Sequence, residues 1–524
     1  MGTARITTMR AGRAETNYLN PCSSAAIPCS FSSDPKMGLS QLKTHVSPTL
    51  TTVYSATAEI TERGNPASGL WGSLVRLWSH YLIGDSLRSR IARGAFWSVL
   101  GTGISQALGL VATVICARLL GSALYGQLGI VLTTVNLFAT VASVGLGVTA
   151  TKHVAEYWRH DPRHAGRIIA MSSMVSAVSG SAIAILLIVL APWLSRSTLK
   201  APLAAELQLG AVMMLFAAVN GYQTGTLAGF EAFKTQAVLN AIRGFVACPA
   251  IVTGVILGGL RGAMTAYTVT SAVTFLIHEI AIRRQCRLHS VPLSYRVDKP
   301  DLRLLWSYSV PVLIASFSFT PAVWWTSAML GTTAGYAQLG IFNAALQWQV
   351  FVMFFSNAVA NLGLPTLSAV LPERSIERYK QMLKVNFLLT TALAVIIAVP
   401  VGLAAPWIMS LYGHGFASGA STLRLICIAT VISAANISVG QAIWSLGAAV
   451  PGMLLALMRG VALAVAASLL SPHGAAGLAW AYVLMGILQT AVQAPFLRSL
   501  MRQQATAWCG LPTHGKAIVG LQDA

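Results

Sequence analysis

The sequence predicts an all-α polytopic membrane protein with about twelve transmembrane helices in two parallel-repeat six-helix lobes. Three observations carry that expectation. Of the 524 residues, 55% are hydrophobic and 10% charged, against about 25% charged in a soluble domain, and the mean hydropathy is +0.66. Apolar runs of roughly 20 to 26 residues recur along the chain, each long enough at about 1.5 Å per residue to cross a hydrocarbon core of about 30 Å. A motif of the first half returns about 210 to 216 residues later in the second.

The elements follow in order. Residues 1–67 are rich in Ser, Thr, Ala and basic residues and contain no apolar run, which predicts a disordered N-terminal extension, read either as a transit-like segment or as upstream sequence. Over 68–92, Leu70, Trp71, Leu74, Val75, Leu77, Trp78, Tyr81 and Leu82 recur at helical spacing around Arg76, Ser79 and His80. That pattern predicts an amphipathic interfacial helix and linker. The N-terminal lobe follows over 93–284, with spans at about 95–118, 127–150, 168–194, 206–229, 236–259 and 263–283. An inter-lobe linker at 285–303 leads to the C-terminal lobe, 304–503, with spans at about 305–328, 336–362, 383–409, 420–445, 449–470 and 475–497. Residues 504–524 form a tail.

A net charge of +20 in a soluble chain would suggest nucleic acid, but here the cations gather between spans and no nucleic-acid partner is expected. One set of connections holds Arg88, Arg90, Arg93, Lys152, Arg159, Arg163, Arg167, Arg283, Arg284, Arg287, Arg296, Lys299, Arg303, Arg374, Arg378, Lys380, Lys384, Arg498 and Arg502. The other holds little beyond Arg196, Lys200 and Arg261. By the positive-inside rule the first set is cytoplasmic, so both termini face the cytoplasm of a multi-pass inner-membrane protein. Cysteines 22, 29, 116, 248, 286, 427 and 509 are odd in number and show neither CxxC nor Cys/His spacing, so no zinc site, disulfide framework or other cofactor is implied.

The repeat sets the architecture. Leu120-Gly121 precedes Tyr125-Gly126-Gln127-Leu128-Gly129-Ile130, and Leu330-Gly331 precedes Tyr336-Ala337-Gln338-Leu339-Gly340-Ile341. Arg243-Gly244 likewise corresponds to Arg459-Gly460, and Gly262 with Ala266-Tyr267 to Gly477 with Ala481-Tyr482. A displacement of six spans preserves direction, so the lobes are parallel repeats with a substrate path expected between them. Gly101, Gly103, Pro311 and Pro321 are candidate bending points at the lobe interface.

From Arg93 to Tyr157 the chain reads RGAFWSVLGTGISQALGLVATVICARLLGSALYGQLGIVLTTVNLFATVASVGLGVTATKHVAEY. It resembles the opening of the oligosaccharide flippases of the polysaccharide synthesis and transport family, which share a superfamily with MATE drug exporters and lipid II flippases. The resemblance extends through LAGFEAFKTQAVLNAIRG, WSYSVP and LGLPTLS, covering most of residues 90–500. It implies a flippase that carries a polyprenyl-pyrophosphate-linked oligosaccharide across the inner membrane for surface polysaccharide or exopolysaccharide synthesis. The implied partners are that lipid-linked oligosaccharide, membrane lipids, a polysaccharide polymerase and a chain-length regulator.

Polar groups inside the spans are the candidate site. Arg243 and Arg459 lie well inside the fifth and eleventh spans, where an arginine costs about 2.5 to 3.5 kcal/mol to insert and needs an acceptor. Read with the resemblance, one guanidinium from each lobe would grip a pyrophosphate through charge-assisted, bidentate hydrogen bonds; the alternative is that each snorkels or bonds helix-end carbonyls. Asn220 with Gln223 and Asn343 with Gln347 pair amides on helix faces. Sugar hydroxyls or neighbouring helices could accept from them. Trp324 and Trp325 suit an aromatic belt, with sugar stacking as the alternative. Glu231 and Glu279 lie near span ends, and no Asp or Glu sits in mid-membrane, which disfavours a MATE-like cation-coupled drug or small-solute exporter. A membrane polysaccharide polymerase or ligase is disfavoured by short outer loops and by the lack of a phosphate loop, GxSxG elbow, HExxH or carboxylate pair. A channel fits a six-plus-six repeat poorly.

Overall fold

The computed structural model describes residues 87–143, 145–295, 309, 313 and 317–509. The expected N-terminal extension, most of the expected amphipathic interfacial helix and linker, residues 296–303 of the inter-lobe linker, Pro311 and the last residues of the tail lie outside the described residues. Backbone groups in lipid have no water to bond, so a spanning segment must satisfy them internally, and the apolar runs accordingly form helices.

The N-terminal lobe holds α1 (Leu87–Ala142), α2 (Leu146–Tyr157), α3 (Pro162–Trp193), α4 (Ala204–Gly229) and α5 (Phe233–Leu288). The C-terminal lobe holds α6 (Thr320–Thr333), α7 (Tyr336–Val370), α8 (Ile376–Leu403), the short α9 (Ala405–Leu411), α10 (Ala420–Ser445), α11 (Ala449–Leu470) and α12 (Gly474–Cys509). Eight helical stretches among the described residues are long and apolar enough to cross a membrane. Three of them each hold two crossing segments. In α1 the break is Gly121, at φ 75° and ψ 170°; in α5 it is Gly258 and Gly259, the latter at φ 54°; the third joins α11 to α12 through Ser471–His473. With α6 in the outer part of the expected seventh span, the described residues hold helix from each of the twelve expected spans.

Glycine serves at Gly121 and Gly259 because positive φ costs it nothing sterically. The second span ends earlier than its hydropathy suggests: Gly145, at φ 67°, separates α2 from α1. α2 buries Leu146, Thr149, Ala150, His153 and Val154 at helical spacing and docks on α4, where Thr151 Oγ1 donates to the Gly225 carbonyl at 3.1 Å. At the start of α3 the Asp161 side chain accepts from the His164 backbone N–H at 3.0 Å, with Pro162 in the first turn, a standard N-terminal stop.

The internal repeat is visible in the backbone. Positive φ occurs at Gly121, Lys200 and Gly259 in one lobe and at Gly335, Gly413 and Gly474 in the other, each pair about 213 to 215 residues apart and all at one end of the bundle. Glu231 and Gly447 form a fourth such pair at the end that carries the arginine-rich turns, called the cationic end below.

One hydrophobic core runs through both lobes, from Tyr125, Leu128 and Leu187 to Phe342, Tyr412 and Phe416. Each lobe has a smaller cluster of its own, one around Ile168, Tyr222 and Ile282, the other around Leu367, Tyr379 and Leu497. The lobes meet where α1 crosses α7, and there the repeated motif packs on its own copy. A Cβ on Gly126 would collide with the Tyr336 carbonyl, and one on Gly340 with the Ser122 carbonyl. Trp324 Nε1 also donates to Thr134 Oγ1 across the interface at 2.9 Å, so this tryptophan joins lobes, while Trp325 is exposed. Towards the cationic end Thr149 Oγ1 and Ser309 Oγ are 2.8 Å apart. Side chains such as Leu257, Leu403 and Val189 cover the outside, as a lipid-facing surface requires.

Candidate substrate cavity between the lobes

Two helical stripes create the cavity. On α1, Thr102, Ser105, Gln106, Gly109 and Thr113 recur at three- and four-residue steps; on the first arm of α5, Asn240, Arg243, Gly244, Ala247 and Ile251 do the same. The stripes face each other because glycines let the backbones close in: a Cβ on Gly101 would strike the Ala237 backbone, and Gly244 packs on Ser105. Asn240 Nδ2 reaches Thr102 Oγ1 at 3.5 Å. Tyr267, from the second arm of α5, and Gln347 and Phe351, from α7 of the other lobe, complete a cavity of about 270 Å³.

Its chemistry is one-sided. Arg243 is the one charged residue among those lining it, the side chain is exposed, and no hydrogen bond or ion pair engages it among the described residues. Thr102, Ser105, Gln106, Asn240, Tyr267 and Gln347 line the same cavity with hydroxyls and amides. Gln347 also lies near the Tyr125 hydroxyl of α1. A fixed cation amid neutral donors and acceptors attracts an anionic, hydroxyl-rich ligand and repels a cation.

The other expected residues lie elsewhere. Arg459 is not among the residues lining this cavity; its guanidinium sits 3.8 Å from the Phe319 ring centroid, close to Tyr482, with Nε buried and unbonded. The two arginines therefore do not share a cavity in this conformation, although each lies near the tyrosine of its own repeat, Tyr267 or Tyr482. Asn343 lies one turn along α7 from Gln347 and packs over Gly129, its Nδ2 buried without a partner. Gln223 is fully buried and donates to the Phe275 carbonyl at 3.3 Å and to Glu279 Oε2 at 3.2 Å. Asn220 donates to Gln223 Oε1 at 3.4 Å. Glu279 also accepts from Tyr222 at 3.2 Å and Arg283 at 2.9 Å, and Glu231 pairs with Arg159 at 3.3 Å.

Thr102, Ser105, Gln106 and Asn240 were not singled out by sequence reasoning, and Tyr267 was read only as a marker of the repeat. Their signal was present, since both stripes keep the three- and four-residue rhythm of one helix face, but no single member stands out in an apolar span as an arginine does.

A model of the polysaccharide biosynthesis protein family matches residues 91–371, more than half of the chain and all of the helices that build the N-terminal wall. The chain belongs to that family. This polysaccharide biosynthesis protein has the fold of an inward-facing multidrug MATE transporter of the MOP superfamily, with a TM-score of 0.64 at 16% identity over 82% of this chain and 99% of that one. A MOP superfamily transporter from Pyrococcus furiosus, described as having a binding pocket of reverse polarity, gives 0.61 at 16% identity over 79% and 96%. A 157-residue stretch is 25% identical to the EPS I polysaccharide export inner membrane protein EpsE of Ralstonia nicotianae, and the Ralstonia solanacearum EpsE is 26% identical over the same length. That stretch is 29% of this chain and 35% of each relative, so the chain spans about a third of the curated relatives it matches.

Proposed function

We propose that this protein is a flippase for a polyprenyl-pyrophosphate-linked oligosaccharide, acting in the bacterial inner membrane with both termini in the cytoplasm. The observation that carries the reading is the cavity between the lobes, where Arg243 stands without a carboxylate among hydroxyl and amide groups. The guanidinium offers a planar fork to a phosphate oxygen pair, and Gln106, Asn240 and Gln347 offer donors and acceptors to sugar hydroxyls. Parallel lobes that touch on both sides of the cavity suit alternating access. Within this proposal Arg459, Asn343, Asn220 and Gln223 would meet substrate only in a second conformation, after the contacts described above release. A polymerase and a chain-length regulator would receive the product. The family match and the relatives' association with polysaccharide export support the reading.

The test is a leaflet-resolved transport assay in vesicles. Arg243→Ala should weaken binding of the lipid-linked glycan by roughly ten- to a hundredfold, the worth of a charge-assisted hydrogen bond of about 1.5 to 3 kcal/mol, and Arg243→Lys should retain part of the rate. Arg196→Ala, outside the cavity, should be neutral. Wild-type flipping rates in Arg243→Ala would sink the assignment. Loss of resistance to cationic drugs in that variant would instead favour a MATE-like exporter, the reading that the solved neighbours suggest.

A further inference from the structure

A second concavity lies on the opposite face of α5. Lys234, Thr235, Val238 and Leu239 on its first arm and Ile277, Ile280, Ala281, Arg284, Gln285 and Leu288 on its second enclose about 560 Å³, within the roughly 300 to 1,000 Å³ of small-molecule sites. At about 100° per residue, Lys234 and Val238 point roughly 120° to 180° away from Asn240 and Arg243, so the groove faces outward while the cavity faces the other lobe. Val238, Ile280 and Leu288 are 47%, 66% and 65% exposed, which makes the groove wall part of the lipid-facing surface.

The register of the two arms is fixed by one bond: Gln285 Nε2 donates to Thr235 Oγ1 at 3.3 Å. The arms run antiparallel, so Lys234 and Arg284 flank that bond from opposite sides, about 3 Å apart in height across the groove at the cationic end. No carboxylate lines the groove, and among the described residues neither cation has an ion pair. Lys234 Nζ has the Trp97 ring 5.7 Å away. A tryptophan beside a lysine is the composition of a membrane–water interface, so the groove mouth lies at headgroup level and its apolar wall extends into the hydrocarbon.

From this geometry we propose that the outer groove of α5 binds one anionic phospholipid. Its headgroup phosphate lies between Lys234 and Arg284, with Thr235 and Gln285 beside it, and an acyl chain lies along Val238, Ile277 and Ile280. Basic pockets between transmembrane helices recognise anionic headgroups by this combination of paired cations and an apolar floor. The inference does not depend on what the inter-lobe cavity transports.

The full-length protein is purified, exchanged into nanodiscs of phosphatidylcholine with a minor fraction of phosphatidylglycerol, and analysed by native mass spectrometry after detergent release. Wild type should retain one more phosphatidylglycerol than the Lys234→Gln, Arg284→Gln double variant, whose affinity for that lipid should fall about thirtyfold. Lys234→Arg combined with Arg284→Lys should retain the lipid, and Arg498→Gln with Arg502→Gln should not change it. Equal retention by wild type and the double variant overturns the proposal. So does equally tight retention of phosphatidylcholine, which would leave an apolar groove only, and so does displacement by millimolar inorganic phosphate, which would leave an ion site only.

Discussion

At the scale of single residues, burial and partnering decide which polar groups are free to act. Arg243 and Gln223 are both polar residues inside spans, but Gln223 is committed to Phe275 and Glu279 and Arg243 is not committed to anything described. Replacing Gln223 with Leu would leave the part-buried Glu279 short of one donor, at about 1 to 3 kcal/mol, and the midpoint of thermal unfolding in detergent should fall. His153, beyond the second span on α2, gives a pH signature. Burial, reinforced by Lys152, holds its imidazole below the ordinary histidine range, against the pull of Glu156. The unfolded chain therefore takes up the proton first, so stability is full above the ordinary histidine pKa and falls as pH drops through the lowered one. Unfolding midpoints measured across acidic pH should show that loss, and His153→Gln should flatten the curve. The arginines were legible in the sequence because charge in an apolar run is conspicuous; which arginine opens to a cavity was not, because it depends on a ring, Phe319, contributed by the turn before α6.

At the scale of elements, the expected gaps at about 119–126 and 260–262 fall at or beside the turns at Gly121 and Gly258–Gly259. A turn of one or two glycines leaves the apolar run almost unbroken, so hydropathy gives the gap while the positive φ of Gly121 and Gly259 is seen in the structure alone. The repeated Tyr-x-Gln-Leu-Gly-Ile motif was legible as a repeat, but its contact with its own copy was not, since alignment of the two halves gives no distances. That contact makes a sharp prediction. Gly126→Val and Gly340→Val both place atoms where a carbonyl already sits, and overpacking of this kind costs about 1 to 3 kcal/mol or more. Gly109→Ala, with open space around it, should be tolerated. Monodisperse yield and thermal midpoint in detergent should separate the two valine variants from the alanine one, and equal behaviour would show that the crossing is not a close contact.

At the scale of the whole molecule, the cationic end gathers Arg159, Arg163, Arg167, Arg284, Arg287, Arg374 and Arg378 at the turns between helices, which by the positive-inside rule should be cytoplasmic. Labelling must avoid the native thiol nearby: Cys286 is buried, and burial pushes it up to about 11, so it will react slowly from either side. Arg287→Cys and His414→Cys, both at exposed positions, should instead label from the cytoplasm and from outside respectively. Outside labelling of Arg287→Cys would invert the orientation.

The lone guanidinium of the cavity carries an energetic consequence for the cell. If a pyrophosphate headgroup crosses beside Arg243, the cation offsets one of its negative charges and leaves the remainder to feel the membrane potential. Each uncompensated charge is then worth about 2.3 kcal/mol per 100 mV, and a potential negative on the cytoplasmic side drives an anion outward. Imposing such a potential on vesicles with a potassium gradient and valinomycin should accelerate outward flipping, and dissipating it should slow the reaction. An unchanged rate would mean that charge is cancelled inside the cavity by groups other than Arg243.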